Sequence, residues 1–519
     1  MAQLGYASCI PMSQTLHKGA AALAAALVSR GVKRVFTLSG NHVMPVFDAA
    51  LGAGIELIHV RHEAAAVHMA DAWARITGEV GVALVTGGPG HANALGALYT
   101  AAMAESPVLL LSGHAPLAEL GKGAFQEMRQ AEMAAPVVKV SEVAMHASTV
   151  ATDVSGAIDA ALAGRPGPVH LSLPTDVLEG EIGHRAIAAG AAPGAARATI
   201  DLSNVLAALA KSERPVVLCG PACMTRPGRA KMAALESALG IPVVGMESPR
   251  GVNDPSLGRF AAMLARADCV VLLGKQLDFT LRFGGAFAAG CDVVKVEAPP
   301  GPLAMGDALA GAAAKSPASA WLREVREAIN FRPPAWDALA TVQGLRPLQA
   351  IFDEHADSVF VCDGGEFGQW AQACLSAPHR VINGVAGSIG AALPFAVAAR
   401  VAVPDAPVLA FMGDGTFGFH PAEIDTAVRY NLPFVAIVGN DARWNAEYQI
   451  QLRAYGPDRL VGCELLPTRY DEVARAFGGH GENVTDPAQV LPAVRRAMAS
   501  DLPSVVNVAI EGLPAPKVG

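Results

Sequence analysis

FMGDGTFGFHPAEIDTAVRYNLPFVAIVGNDARW, residues 411–444, is the stretch that decides the expected fold. An apolar strand at 406–412 runs into Gly413-Asp414-Gly415, and a second apolar strand at 434–438 runs into Asn440-Asp441. The two acids lie 441 − 414 = 27 positions apart, about the length of one strand, crossover helix and strand. Because the carboxyl ends of parallel strands meet at one edge of a sheet, we expect both carboxylates at the same edge.

The residue types at this edge are suited to a metal and a phosphate. Carboxylate and amide oxygens are hard ligands for Mg²⁺ or Ca²⁺, and glycines beside them let backbone N–H groups approach a phosphate. A lone Gly-Asp-Gly is more often an ordinary turn. The stretch therefore predicts a metal and phosphate site, and a second motif elsewhere in the chain is needed to support it.

Composition indicates a large protein with well-buried cores. The chain has 519 residues, of which 52% are hydrophobic and 17% charged, so about three domains with sizeable cores are expected. A net charge of −8 without long charged runs argues against nucleic acid or a polybasic membrane patch. Small molecules are the expected partners.

Targeting and cysteine signals favour a cytoplasmic protein. No apolar run reaches the roughly 18 residues of a membrane-spanning helix, and the N-terminus has no basic segment followed by an apolar core. The eight cysteines are scattered without a Cys-x-x-Cys pair, so they are expected to be reduced packing residues.

Helical segments alternate with short β-branched strands along the chain, which predicts an α/β fold of three doubly wound, parallel-sheet domains. The expected domains span residues 1–185, 199–332 and 340–519. A Gly/Ala/Pro-rich stretch at 188–198 and a composition break at 331–336 separate them. The expected strands are 35–38, 55–59, 81–86, 108–112, 169–173, 215–219, 242–245, 269–273, 292–296, 359–362, 407–412, 434–438 and 504–509.

The first domain supplies the second motif. A strand at 55–60 ends in Arg61-His62-Glu63, just before the helical run 64–76. Taken alone, Glu63 could be a first-turn acid that favours the helix dipole. That explanation does not account for four nearby segments: GVALVTGGPGHANAL (81–95), ESPVLLLSG (105–113), AFQEMRQAEMAAPVVK (124–139) and GRPGPVHLSLPTDV (164–177).

These segments, together with residues 411–444, resemble the thiamine-diphosphate enzyme family that includes acetolactate synthase, benzaldehyde lyase, oxalyl-CoA decarboxylase and 2-hydroxyacyl-CoA lyase. The resemblance covers nearly the whole chain and is strongest in the first and last domains. It implies that Glu63 hydrogen-bonds the pyrimidine ring of the cofactor. It also implies that Asp414, Asp441 and the backbone carbonyl of Arg443 bind Mg²⁺ or Ca²⁺.

The same resemblance implies a cofactor cradle in the last domain. In NGVAGSIGAAL (383–393), Ile389 matches the apolar side chain that bends the cofactor into a V, although simple core packing is the alternative. Asp441 departs from the commoner Asn, and its extra charge should favour metal but repel diphosphate. The other implied cofactor-binding residues are Gly364, Gly365, Glu366, Gly413, Gly415, Thr416 and Trp444.

The sequence is less explicit about which member of the family the chain resembles most. His42 matches a histidine of benzaldehyde lyase, and Gln126 matches a glutamine near the reacting carbon, so both are candidate catalytic residues beside Glu63. The tail at 454–481 also resembles benzaldehyde lyase. Polar or small residues at pocket positions suit a small polar substrate, and Arg443 or Asn445 could hold a carboxylate. These pocket positions are Glu366, Gly368, Arg443 and Asn445.

The predicted function is therefore a C–C bond lyase or carboligase acting on a 2-oxo acid, aldehyde or 2-hydroxy ketone. The alternative is a decarboxylase of the 2-oxo acid or oxalyl-CoA type, or a 2-hydroxyacyl-CoA lyase, because residues 267–284 resemble that branch. Little sequence follows the final strand to cover a CoA arm, which ranks CoA thioesters lower.

The expected assembly is a homodimer or a dimer of dimers, a homotetramer, with the active site at the subunit interface. The middle domain could bind FAD or ADP, or act as a spacer. Two other classes stay open: a cofactor-binding protein without catalysis, and a nucleotide-binding enzyme without thiamine.

Overall fold

A computed structural model describes residues 18–182, 201–296, 301–312 and 317–518. Within these ranges the chain forms three parallel β-sheets with flanking helices, which confirms the predicted α/β class. The expected linker at 188–198 and Cys9 lie outside the described residues, and the domain boundaries stay predictions. None of the described helices combines the length and hydropathy that crossing a bilayer requires.

The first sheet has six parallel strands in the order β2-β1-β3-β4-β6-β5. Its strands are β1 Arg34–Thr37, β2 Glu56–His59, β3 Gly81–Val85, β4 Val108–His114, β5 Ser141–Val143 and β6 Val169–Pro174. Its helices are α1 Gly19–Ser29, α2 Met44–Ala53, α3 Glu63–Thr77, α4 Pro89–Met103, α5 Gln130–Ala134, α6 Val150–Leu162 and α7 Thr175–Glu179.

The second sheet is smaller, with four parallel strands in the order β10-β9-β7-β8. Its strands are β7 Pro215–Cys219, β8 Val243–Gly245, β9 Cys269–Leu273 and β10 Asp292–Val296. Its helices are α8 Ser203–Lys211, α9 Arg226–Leu239, α10 Phe260–Leu264, α11 Pro302–Ala312 and α12 Ala320–Asn330.

The third sheet repeats the topology of the first, in the order β12-β11-β13-β14-β16-β15. Its strands are β11 Val359–Cys362, β12 His379–Ile382, β13 Val408–Gly413, β14 Val435–Asn440, β15 His480–Val484 and β16 Ser504–Ala509. Its helices are α13 Ala340–Leu345, α14 Gln349–Glu354, α15 Gly365–Cys374, α16 Ala392–Ala402, α17 Asp414–Phe417, α18 Glu423–Arg429, α19 Asn445–Tyr455, α20 Tyr470–Ala476 and α21 Val490–Ala499.

The strands that sequence analysis missed are β5, β12 and β15, and all three lie at sheet edges. Edge strands are only partly covered, and these carry polar residues where a central strand would be apolar.

The composition break expected at 331–336 does not lie wholly outside the folded domains. Trp336 at its end packs against Trp370 of α15, with ring centroids 5.1 Å apart, so it belongs to the core of the third domain.

The first and third domains share one hydrophobic core. It extends from β3 and β4 through α3 and α16 to β11, β13 and β14. Arg75 of α3 is buried in this contact, bonded to both oxygens of Asp71 at 2.8 and 2.6 Å and to the backbone oxygen of Ile382 at 2.6 Å. The position of α3, which begins at Glu63, is thereby fixed relative to the third sheet.

Candidate active site

The two acids of the opening stretch lie side by side at the carboxyl edge of the third sheet. Gly413 of β13 pairs in register with Gly439 of β14, so Asp414 and Asp441 leave adjacent strand ends, as their spacing predicts. Asp414 is 2% exposed. Its Oδ1 accepts the N–H of Gly415 at 2.9 Å, whereas its buried Oδ2 has no hydrogen-bond partner among the described residues. A buried carboxylate oxygen without a partner is costly unless a ligand satisfies it.

The electrostatics of this pair favour a cation. Burial raises the pKa of Asp414 to about 6. Backbone N–H groups stabilise its charged form and oppose this shift. Burial, and then the charge of Asp414, raises the pKa of Asp441 to about 7. No three His, Cys, Asp or Glu side chains converge on a metal position in the described ranges. Two carboxylates completed by backbone, phosphate and water oxygens are a typical Mg²⁺ environment, so the residues fit this ion.

A strained turn after β14 orients Asp441 and Arg443. Ala442 has φ +56°, and its N–H donates to Oδ1 of Asn440 at 3.2 Å. The N–H of Trp444 donates to the oxygen of Cys463 at 2.8 Å, which ties the turn to the segment before α20. Sequence analysis named Asn440 at this strand end but gave it no role of its own, whereas in the structure its side chain holds the turn.

A cleft of about 420 Å³ opens beside the acids. Gly415 forms part of its floor beneath Trp444: a Cβ at Gly415 would stand 2.6 Å from the indole ring. The glycine therefore lets the ring cover the backbone closely. The predicted cofactor-binding residues that line the cleft are Gly364, Gly365, Glu366, Ile389, Gly413, Gly415, Thr416 and Trp444.

Asp363 is a buried acid behind the cleft that sequence analysis missed. Its carboxylate accepts the backbone N–H groups of Gly364 at 2.7 Å and of Gly390 and Ala392 at 3.0 Å. Burial raises its pKa to about 6, and these N–H groups oppose the shift. The available signal was an acid at a strand end followed by two glycines, which is close to the pattern around Asp414.

Glu63 lies in the first domain, at the first residue of α3. Its Oε2 accepts from Nδ2 of Asn93 at 3.0 Å, and a Cβ at Gly90 would stand 3.2 Å from its Oε1. Gly90 and Asn93 both belong to α4, the helix that follows β3, so the Glu63 carboxylate lies against α4. Asn93 falls inside the segment 81–95, but its partner could not be read from sequence.

His42 and Gln126 contact the turn between β3 and α4. His42 is buried, and its Nδ1 lies 3.3 Å from Oγ1 of Thr86. Burial, and then the charge of His114, lowers its pKa, so His42 is neutral near pH 7. Gln126 has φ +56° and packs on Gly88, where a Cβ would stand 2.8 Å from that of Gln126.

The three predicted catalytic residues thus gather at the carboxyl edge of the first sheet, around residues 86–90. None of them lines the cleft of the third domain. The predicted site residues therefore form two separate groups within one chain, or half-sites: one with Asp414, Asp441 and the glycines beside them, and one with Glu63, His42 and Gln126.

The residues expected to contact substrate differ in whether their side chains already bond within the protein. Both polar atoms of the Asn445 amide do so: its Nδ2 donates to the oxygen of Leu513 at 2.8 Å, and its Oδ1 accepts from Gln449 at 3.2 Å. Gly368 packs on the backbone of Asp363 instead of lining the cleft. Arg443 does line the cleft, with its guanidinium 4.4 Å from the Tyr448 ring centroid.

The middle domain also reaches this cleft. Ser248, Pro249 and Arg250 line it, and Nη2 of Arg250 lies 3.6 Å from Oε2 of Glu366. Burial raises the pKa of Glu366, and the Arg250 charge opposes that shift. Sequence analysis assigned no part of the site to this domain.

Known proteins resemble this chain along nearly its whole length. The family model described as "Thiamine pyrophosphate enzyme, N-terminal TPP binding domain" matches residues 17–133, and its C-terminal counterpart matches residues 363–508. A probable acetolactate synthase of Mycobacterium bovis is 33% identical in an alignment 536 positions long that covers 96% of each chain. Human 2-hydroxyacyl-CoA lyase 2 is 31% identical over 96% of this chain and 92% of its own length.

A third relative is less similar in sequence. A probable acetolactate synthase large subunit of Methanocaldococcus jannaschii is 26% identical over 95% of this chain and 92% of its own length. The matches run through all three domains, and the two domain matches contain the two half-sites. The chain therefore belongs to the family of thiamine-diphosphate-dependent enzymes, together with the acetolactate synthases and 2-hydroxyacyl-CoA lyases.

Proposed function

We propose that this enzyme is a lyase or carboligase for the C–C bond next to a carbonyl group, with a 2-oxo acid, an aldehyde or a 2-hydroxy ketone as substrate. The observation that carries the proposal is the pairing of buried Asp414 with half-buried Asp441 beside a cleft of about 420 Å³, where one oxygen of Asp414 has no partner among the described residues. Bound thiamine diphosphate supplies an electron sink for the breaking bond.

The third domain would hold the cofactor's diphosphate and metal. Asp414, Asp441 and the backbone carbonyl of Arg443 would bind Mg²⁺, or Ca²⁺ in its place. Backbone N–H groups around Gly364-Gly365 and Gly413-Asp414-Gly415 would meet the diphosphate, where the glycines leave room for it. Ile389 would support the bend of the cofactor from the cleft wall.

The first domain would handle the protons. Glu63 would hold and exchange a proton with the pyrimidine nitrogen, and Asn93 keeps its carboxylate in place. Neutral His42 can give or take a proton at the substrate oxygen near pH 7. Gln126, on the same turn, would orient the substrate carbonyl.

The separation of the half-sites supports an active site between two subunits. Glu63 does not line the cleft that carries Asp414 in the same chain. A twofold homodimer would bring the first domain of one protomer to the third domain of the other. We therefore propose a homodimer or a dimer of dimers.

Co-expression of two inactive variants tests this assembly. Glu63→Gln and Asp414→Asn chains with different tags should form heterodimers in which one site has both defects and the other has none. We expect such heterodimers to regain about half of the wild-type kcat, since one of two sites is intact. Heterodimers as inactive as the parent variants would instead place Glu63 and Asp414 of one chain in one site.

A substrate panel tests the reaction itself. The purified enzyme with thiamine diphosphate and Mg²⁺ should convert at least one of pyruvate, benzoylformate, benzaldehyde, benzoin and glycolaldehyde, with products identified by mass. Omission of the cofactor should abolish conversion. The likeness to human 2-hydroxyacyl-CoA lyase 2 favours a second candidate, so the panel includes oxalyl-CoA and a 2-hydroxyacyl-CoA. Turnover of only these thioesters would replace the first function by the second.

A further inference from the structure

Gly390, directly after Ile389, is held on both sides by buried side chains. Its N–H donates to Oδ1 and Oδ2 of Asp363, both at 3.0 Å. Its carbonyl oxygen accepts from Nδ1 of His420 at 2.7 Å. The residue has φ +93°, and a Cβ there would stand 2.4 Å from Cβ of Phe419. Glycine is therefore required at this point. Because glycine restricts its own φ and ψ angles only weakly, the hydrogen bonds to its neighbours must fix its conformation.

Asp363 connects this glycine to the turn after β11. The same carboxylate accepts the N–H of Gly364 at 2.7 Å and that of Ala392, the first residue of α16, at 3.0 Å. Cγ2 of Ile389 in turn lies 2.8 Å from the place where a Cβ at Gly364 would stand. The side chain of Ile389 thus rests on a glycine that Asp363 also holds.

His420 fixes the other side of the same peptide. A carbonyl oxygen can only accept, so Nδ1 of His420 carries the hydrogen. Burial lowers the pKa of His420, which keeps the ring neutral near pH 7. The ring lies edge-on to His62 and His68, with centroids 5.7 and 5.8 Å away. These contacts place it against the start of α3.

We propose that Asp363 and His420 are positioning residues that hold Ile389 where its side chain supports the bent cofactor, a role that rests on the proposed function. Neither residue lines the cleft, so neither is expected to contact cofactor or substrate. Both act through the backbone of Gly390. Without them the glycine-rich segment 384–390 would let Ile389 move away from the cleft.

Two variants of His420 separate positioning from general packing. In His420→Asn the amide nitrogen takes the place of Nδ1 and can still donate to Gly390, whereas His420→Leu has similar bulk and no donor. We expect kcat to fall about tenfold in His420→Leu, the worth of one lost hydrogen bond, and to stay near wild type in His420→Asn. The near-ultraviolet circular dichroism of the bound cofactor should change in the Leu variant only.

A double-mutant cycle with Ile389→Ala tests whether His420 acts through Ile389. If it does, His420→Leu should cost little further kcat once Ile389 is truncated, because the group being positioned is gone. Full additivity of the two losses would overturn the proposal. So would a His420→Leu enzyme that only melts earlier while its kcat and cofactor spectrum stay wild type.

Asp363→Asn gives an independent measurement, since its amide nitrogen would face a backbone N–H. We expect weaker thiamine diphosphate binding in this variant, measured by equilibrium dialysis, and an unchanged affinity would contradict the role of Asp363. Wild-type protein that binds no thiamine diphosphate would overturn both this role and the proposed function. Normal wild-type binding with unaffected variants would overturn only the positioning role.

Discussion

Replacing Glu63 with Gln should lower kcat by about a thousandfold or more, the range expected for losing a proton-transfer group. Gln keeps the size of the side chain and can still accept the hydrogen bond from Asn93, so the first domain should keep its fold. It cannot give up or take a proton as a carboxyl group does. Binding of thiamine diphosphate should remain measurable by the quenching of tryptophan fluorescence, because Trp444 lines the cleft.

Glu79→Gln is the matched control, because Glu79 lies exposed just beyond the other end of the same helix. It should leave both kcat and cofactor binding unchanged. Asn93→Ala should have an intermediate effect, since it frees the Glu63 carboxylate without removing it. Full activity in Glu63→Gln would refute the assigned role.

Asp414→Asn should weaken the joint binding of Mg²⁺ and thiamine diphosphate by more than about a hundredfold. Loss of a residue that only supports a metal ligand costs about 10- to 100-fold in affinity, so loss of a direct carboxylate ligand should cost more. The effect is expected to be large here because Asp414 is buried and its Oδ2 has no partner in the part of the chain that the structure describes. Titration calorimetry with both ligands measures it.

Asp441→Asn provides the contrast. The amide keeps an oxygen ligand, matches the residue commoner in the family, and removes the charge that acts against both Asp414 and the diphosphate. Metal binding should weaken by no more than about tenfold, less than the cost of losing a whole ligand. Equal losses in the two variants, or a larger loss at Asp441, would contradict the assignment of Asp414 as the principal ligand.

The central strands and the pairing of Asp414 with Asp441 could be predicted from sequence for a physical reason. A parallel strand covered on both faces reads as a continuous apolar run, and a crossover helix fixes the distance between two strand ends. The edge strands β5, β12 and β15 lack such runs. Each exists because it pairs with the neighbouring strand of the sheet, about 20 to 30 residues away in sequence, which local patterns do not report.

The candidate site likewise contains residues that could be predicted from sequence and residues that were missed. Glu63, Asp414 and Ile389 could be located because they lie within motifs that a family resemblance carries. Asp363 offered only the weak signal of an acid before two glycines, and His420 offered none, because they bond to the backbone of Gly390 from 27 and 30 positions away. Hydrogen bonds from a side chain to a distant glycine leave no periodic signal in sequence.

The hydrophobic core shared by α3 and α16 links the stability of the two half-sites. Because the apolar faces of both helices lie in one hydrophobic cluster, separating the first domain from the third would expose that cluster to water. The helix that begins at Glu63 and the sheet that carries Asp414 should therefore unfold cooperatively, as one thermodynamic unit. The proton transfer proposed at Glu63 and the metal binding proposed at Asp414, more than three hundred positions apart in sequence, would thus depend on the stability of one folded unit.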